Sequence, residues 1–216
     1  RPPCPDSRGR TVTIKSLAIL GAGGHGKVIA DAALLGGCRD LVFFDDAWPG
    51  KQDNGNWPVV GDWSALLERH RDYEGVIVAI GANDVRMAKQ IALREAGVSL
   101  ATVIHPLAAI SPFAALGAGS VAFAGAVVNP DALAGQGVII NSGAVVEHDC
   151  RLGDWVHISP RACLGGNVTV EEGAWVGIGA VVKQGVTVGR GAIVGAGAAV
   201  VSDVPAGATV MGVPAR

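Results

Sequence analysis

The chain has 216 residues, of which 50% are hydrophobic, only 5% aromatic and 17% charged, with 32 glycines and a formal net charge of −2. That length allows one or two domains with enough core to fold without covalent staples. The near-neutral balance supplies no field to hold nucleic acid or an anionic membrane face, and no apolar run approaches the roughly 18 residues a membrane span needs.

Residues 1–13 carry prolines and arginines without an apolar stretch, so they read as a disordered leader and not as a signal peptide. Residues 14–103 then alternate strand and helix. A buried strand at 16–20 runs into Gly21-Ala22-Gly23-Gly24-His25-Gly26, and a helix is predicted over 27–35. Further strands are expected at 41–44 and 76–80, with helices at 63–70 and 84–96, and 100–104 leads onward. Strand alternating with helix implies a parallel sheet.

Gly21, Gly23 and Gly26 meet the Gly-x-Gly-x-x-Gly pattern between strand and helix, with Asp45 following the second strand. This is the dinucleotide-binding fingerprint, in which glycines let the backbone approach a phosphate and the helix N-terminus supplies N–H donors. The unit is small for a full dinucleotide domain, and the rest of the chain offers no hydride-transfer site. A nucleotide-diphosphate group therefore fits better than NAD, and His25 in the loop is natural beside a pyrophosphate or sugar.

The texture changes near residue 103. Residues 104–205 hold 11 charged side chains in 102 positions, and the other 114 residues hold 25. From Ile104 every sixth residue leads a hexad, through Ile110, Leu116 and Ala122 to Val194 and Val200, in 17 hexads without an insertion. Four residues after each leader stands a small side chain such as Ala126, Ala144, Cys150 or Ala162. Neither the helical period of 3.6 nor the strand period of two fits, and a six-residue period marks a parallel β-helix. Three hexads close a triangular coil, so 18 residues return the chain to the same face about 4.8 Å higher. Gly or Asn often follows the leader, as at Gly117, Asn141, Gly165 and Gly177, and these positions are expected to turn the corners in unusual φ/ψ space. Small fourth followers are needed because three side chains meet on the axis. Cys150 reads as a core filler on that logic. The four cysteines, at 4, 38, 150 and 163, show no short metal or redox spacing, which leaves the reduced cytoplasm as the default location.

The repeat resembles that of the hexapeptide-repeat acyltransferases, whose left-handed parallel β-helix trimers use acyl-coenzyme A, and the ending Gly212-Val213-Pro214-Ala215-Arg216 resembles theirs. An α/β nucleotide unit over 14–103 followed by a β-helix over 104–216, with Gly-Gly-His-Gly-Lys in the first loop, is similar to the NeuD/PglD-type sugar O/N-acyltransferases. That resemblance implies that Gly23, Gly24, His25, Asp45, Asp46 and Gly81 line a nucleotide-sugar site. The aspartates would then meet ribose or base.

Acetyl transfer from a thioester to an amine needs the amine free of its proton, so a base of near-neutral pKa is required. Of the five histidines, His70 reads as solvated surface, His105 as structural at the junction, and His25 belongs to the first unit. His148 and His157 remain. His148 is the third residue of its hexad and points away from the core, and Asp149 can take its other ring N–H and fix the tautomer. The stretch Asn141…Glu147-His148-Asp149-Cys150 resembles the family's, which implies His148 as general base with Asp149 as partner, and Asn141 and Glu147 as substrate contacts. Gly166 lies 18 residues above His148, where a missing side chain lets the thioester approach and an N–H could bind the oxyanion. The family suggests the same glycine, and also places His157, Ile178 and Ala196 against acetyl-CoA. His157 is half a coil from His148, so one site using both must lie between subunits of a homotrimer. No zinc spacing is present, and a thioester needs no metal.

The resemblance therefore implies an acetyl-CoA-dependent N-acetyltransferase of a nucleotide-linked amino-sugar, expected to be a UDP-4-amino-4,6-dideoxy sugar, in cytoplasmic glycan synthesis. GDP-perosamine N-acetylation and sialic-acid O-acetylation are the nearest alternatives. A non-catalytic β-helix scaffold and an NAD-binding module represent other classes.

Overall fold

The computed structural model describes residues 14–216; the leader expected over 1–13, with Cys4 in it, lies outside the described residues. These divide into two compact units, one ending at Pro106 and the other running Leu107–Arg216.

In the first unit β1 (Ser16–Leu20), α1 (Gly24–Leu35), β2 (Asp40–Phe44), α2 (Trp63–Arg69), β3 (Gly75–Val78) and α3 (Asn83–Glu95) follow in order, with a 3-10 turn at His70–Asp72 after α2. The strands form a parallel sheet in the order β2-β1-β3. The central strand β1 is apolar from Leu17 to Leu20 because both of its faces are covered. Phe44, Leu66, Val78 and Leu93 pack with it in one buried cluster. Helix α1 begins three residues before the expected 27–35. Its first-turn glycines argue for a loop by propensity, but Gly26 is demanded by packing: a Cβ there would run into the Gly21 carbonyl and come within 2.8 Å of the Phe43 ring. Strand β3 stops at Val78, which leaves Ala79–Ile80 to the loop beyond it.

The second unit is a stack of two-residue strands in three parallel sheets. Partners lie 18 residues apart: Ile139 pairs with His157, Val145 with Cys163, and Arg151 with Thr169. The second residue of each strand is the hexad leader, and every leader from Ile140 to Val200 is buried, as is every fourth follower from Ser120 to Ala198. Strand N–H groups donate to carbonyls of the next coil, as in His157 to Ala174 at 3.1 Å and Ser159 to Val176 at 2.9 Å, and corner N–H groups to the preceding coil, as in Arg161 to Ser142 at 2.9 Å. A polar axial residue is tolerated only when satisfied; the Ser120 hydroxyl accepts from Val138 N–H and donates to the Gly135 carbonyl. Cys150 fills the axis as read from sequence, with no exposed surface, its thiol donating to the Gly165 carbonyl and its pKa raised by burial.

The corners work differently from the expectation. Left-handed φ falls three residues after the leader, at Gly143, Asp149, Arg161, Asn167, Gly173 and their equivalents, and not at the residue directly after it. Glycine directly after the leader is needed for close approach between coils: a Cβ on Gly177 would lie 2.5 Å from the Val194 carbonyl oxygen and 2.8 Å from the Ala196 nitrogen. In the last coil the pairing step falls from 18 to 16 residues, as in Val194 with Val210, where the hexad pattern has lapsed. Asp203 there accepts from Thr187 N–H at 2.8 Å.

Gly177→Ala, whose new methyl meets backbone that cannot yield, is expected to destabilise the β-helix by about 1–3 kcal/mol. Gly173→Asn meets nothing within 4 Å and puts a residue tolerant of left-handed φ at a φ of +68°. It should cost clearly less, and chemical unfolding of both variants reads the order.

Candidate active site

Three loops leave the carboxyl edge of the small sheet, where ligands of open α/β sheets bind. The first carries Gly23, Gly24 and His25, the second Asp45 and Asp46, and the third Gly81. The surface over Gly23, Gly24 and Gly81 is open, with no atom within 4 Å of an added Cβ. Gly23 is the N-cap of α1 and contributes no capping side chain to the first turn. A helix N-terminus in that condition favours an anion.

Asp45 braces the loops: its Oδ2 accepts from Ala22 N–H at 2.6 Å and its Oδ1 from Ala47 N–H at 3.0 Å. Asp46 is exposed, accepts from Trp63 N–H at 3.3 Å and pairs with Lys89 at 3.6 Å. Three side chains that sequence reasoning missed complete the arrangement. Lys51 donates to the Ala22 carbonyl, and buried Asn54 to the Gly23 carbonyl at 3.2 Å. Arg86 is 1% exposed; its guanidinium donates to the Ile80 and Gly81 carbonyls at 3.1 and 3.0 Å and to Asn83 Oδ1 at 2.8 Å. A charged residue on a polar helix reads as solvated, and nothing in its spacing announces that it turns inward.

On the β-helix, His148 projects from an edge with its Nδ1 2.7 Å from Asp149 Oδ2, both side chains exposed. Asp149 occupies the left-handed corner position at a φ of +62°, which swings its carboxylate beside the ring. Gly166 stands over the imidazole, and an added Cβ would lie 2.6 Å from Nε2 and from Cε1. The 18-residue arithmetic therefore holds at this edge. Glu147 accepts from Asn129, one coil below, at 2.7 Å.

His157 lies on an outward strand position of another face. Its Nε2 is 3.2 Å from Asn141 Nδ2, and its ring stacks on Trp175, which sequence reasoning also missed. Ile178 and Ala196 follow each other at one coil's spacing and are exposed. Their edge is 12 residues out of phase with Gly166, so His148, Asp149 and Gly166 form one group and Ile178 with Ala196 another. Among the described residues no group of three or more His, Cys, Asp or Glu side chains could hold a metal ion, and no helix is long and apolar enough to cross a membrane.

Residues 16–92 match the PglD N-terminal domain family. The acetyltransferase domain of PglB from Neisseria gonorrhoeae is 42% identical, with 94% of this chain and 98% of that one covered and a TM-score of 0.88. The chain belongs to the PglD-type sugar acyltransferases. The same Neisseria domain in complex with acetyl coenzyme A is 41% identical at a TM-score of 0.90, with the same coverage. PerB from Caulobacter crescentus, in complex with CoA and GDP-perosamine, is 40% identical over 93% of this chain and 96% of that one, with a TM-score of 0.88. The UDP-N-acetylbacillosamine N-acetyltransferase of Bacillus subtilis is 42% identical over 116 residues. That alignment covers 51% of this chain and about half, 52%, of the curated relative.

Two histidines of this PglD-type chain are tuned in opposite directions. The hydrogen bond to Asp149, with the charges of Asp149 and Glu147, raises His148 above its ordinary 6.5. Burial, with the Arg86 charge nearby, lowers His25 to about 4, and burial draws Arg86 itself to about 10, so the arginine stays charged at neutral pH. For His148, an NMR titration should give a midpoint above 6.5 that falls back in Asp149→Asn. An unchanged midpoint would dissociate the pair. For His25 the folded pKa lies below the unfolded one, so the unfolded chain binds more protons between about pH 6.5 and 4 and stability rises with pH through that window. His25→Gln should flatten that part of the stability profile, read by urea unfolding at several pH values.

Proposed function

We propose that this chain is an acetyl-CoA-dependent N-acetyltransferase that acylates the amino group of a UDP-linked 4-amino-4,6-dideoxy sugar in cytoplasmic glycan synthesis. The observation that carries the reading is the His148–Asp149 pair under Gly166, in a chain 42% identical to an acetyltransferase domain also known in complex with acetyl coenzyme A. Asp149 accepts a hydrogen bond from the Nδ1–H of His148, which leaves Nε2 as the basic nitrogen on the side of Gly166. As the amine nitrogen attacks the thioester carbonyl, Nε2 accepts the amine proton. The C–S bond then breaks, the thiolate leaves, and the imidazolium returns its proton to sulfur. No acyl-enzyme is required. The absent side chain at Gly166 lets the carbonyl approach, and the Gly166 N–H is the candidate donor to its developing negative oxygen.

The open surface over Gly23, Gly24 and Gly81 would take the nucleotide diphosphate, with Asp46 exposed beside it for ribose or base. His157, Ile178 and Ala196 would meet the coenzyme. Because His148 and His157 stand half a coil apart, this assignment requires a homotrimer in which His148 of one subunit works with His157 of the next. A GDP-linked sugar is the second reading, favoured by the 40% identity to PerB, which is known in complex with GDP-perosamine. The relatives matched with a named acceptor are N-acetyltransferases, which favours an amine over the hydroxyl of sialic acid.

Incubation with acetyl-CoA, a thiol reporter and a panel of UDP-, GDP- and CMP-linked amino-sugars identifies the acceptor. Absence of thiol release with every one would favour a non-catalytic scaffold. His148→Ala should lower kcat about 10²–10⁴-fold with acetyl-CoA affinity largely kept. Gly166→Ala should also depress kcat, because its methyl displaces the imidazole. A light-scattering mass of one chain at full activity would overturn the trimer.

A further inference from the structure

We propose that Asn141 and Trp175 are positioning residues that lock His157 in a single ring orientation and a single tautomer, with the proton on Nδ1 and the Nε2 lone pair taken by an amide N–H. The bearing on catalysis rests on the acetyltransferase reading; the lock itself does not.

The carboxamide settles the tautomer. Asn141 Oδ1 accepts from Ser142 N–H at 2.9 Å, which turns the NH2 end toward His157 Nε2 at 3.2 Å. The flipped amide would set its NH2 against the Ser142 N–H, donor against donor, so only one orientation satisfies both contacts. An N–H facing a ring nitrogen needs a lone pair there, and a neutral imidazole with a bare Nε2 carries its proton on Nδ1.

The orientation is settled by the solenoid. Trp175 occupies the same outward position as His157 one coil on, in direct strand pairing with it. The rings lie 5.1 Å apart between centroids and 13° from parallel. The indole is itself pinned, its Nε1–H donating to the hydroxyl of buried Ser159 at 2.7 Å. The stack opposes any rotation that tilts the imidazole out of its plane. A half-turn flip about the Cβ–Cγ bond, which keeps the stack, would put Cε1 in place of Nε2 against the amide and lose that contact. The two β-helix histidines are thereby given different work. His148 presents Nε2 toward Gly166 as a base can, whereas His157 has its Nε2 committed to Asn141 and cannot duplicate that role. Asn141 acts through His157, which differs from the substrate contact expected from sequence.

The test reads protonation directly. Long-range 1H–15N correlation spectra of the ligand-free full chain, labelled with 15N-histidine and assigned with His157→Gln, should show a protonated Nδ1 and a bare Nε2 at His157. Asn141→Asp puts an acceptor opposite Nε2 and should move the proton there. Trp175→Ala should convert the signal to a mixture of tautomers and lower kcat/KM for acetyl-CoA by up to about 10²-fold. Trp175→Phe, which keeps a flat ring over the imidazole, should restore a single tautomer and most of the activity. A wild-type His157 protonated on Nε2 would overturn the proposal even if the variants do not fold, and so would a tautomer indifferent to Asn141→Asp. A chain that shows the Nδ1 tautomer yet releases no CoA thiol with any nucleotide sugar would sink the catalytic reading alone.

Discussion

The crowding of small side chains on the β-helix axis is the constraint from which the rest of the second unit follows. Three inward residues meet at each level, so the fourth follower of every hexad must be Ala, Val, Ser or Cys, and from Ser120 to Ala198 each of these is buried. A chain so limited closes after three hexads, which makes 18 residues the repeat of the outside up to the last coil. Gly166 lies over His148, Trp175 over His157 and Glu147 over Asn129 for the same reason. Chemistry is placed on this scaffold by register, on backbone held rigid by hydrogen bonds from coil to coil.

The first unit meets its demands by other means. Its loops are not repeats, and each has to be tied individually. Asp45 holds the first loop to the second, Asn54 donates to the Gly23 carbonyl, and the buried Arg86 guanidinium gathers the carbonyls of the third. Burying a guanidinium is costly unless its donors are used, and here they are spent on backbone at the carboxyl edge of the sheet. The positive potential left there suits a phosphate and opposes a proton on His25.

One residue type therefore appears in three electrostatic settings. His25 is kept neutral by burial and a neighbouring cation. His148 is made more basic by a carboxylate it touches in solvent. His157 is flanked by an amide and an indole. Environment assigns the role, and the assignment follows from which element each ring is mounted on.

The hexad count, the parallel α/β unit before it, the axial place of Cys150 and the stacking of His148 beneath Gly166 were all legible in the chain, because each depends on a period or a short-range pattern. The corner chemistry was misplaced by two positions, since Gly directly after the leader and Gly three residues after it look alike in sequence while one avoids a backbone clash and the other adopts left-handed φ. Lys51, Asn54 and Trp175 left no signal, because each acts on a partner brought near only by folding: a loop carbonyl for the first two, and for Trp175 a ring one coil away. Arg86 reaches carbonyls only five and six residues back, but nothing in its spacing marks that it turns inward. The sequence by itself determined the scaffold and its spacing, as repetition encodes geometry at fixed separations. Only the tertiary structure decided which side chains brace the loops and which amide faces Nε2 of His157, because those depend on distances between groups that no period relates.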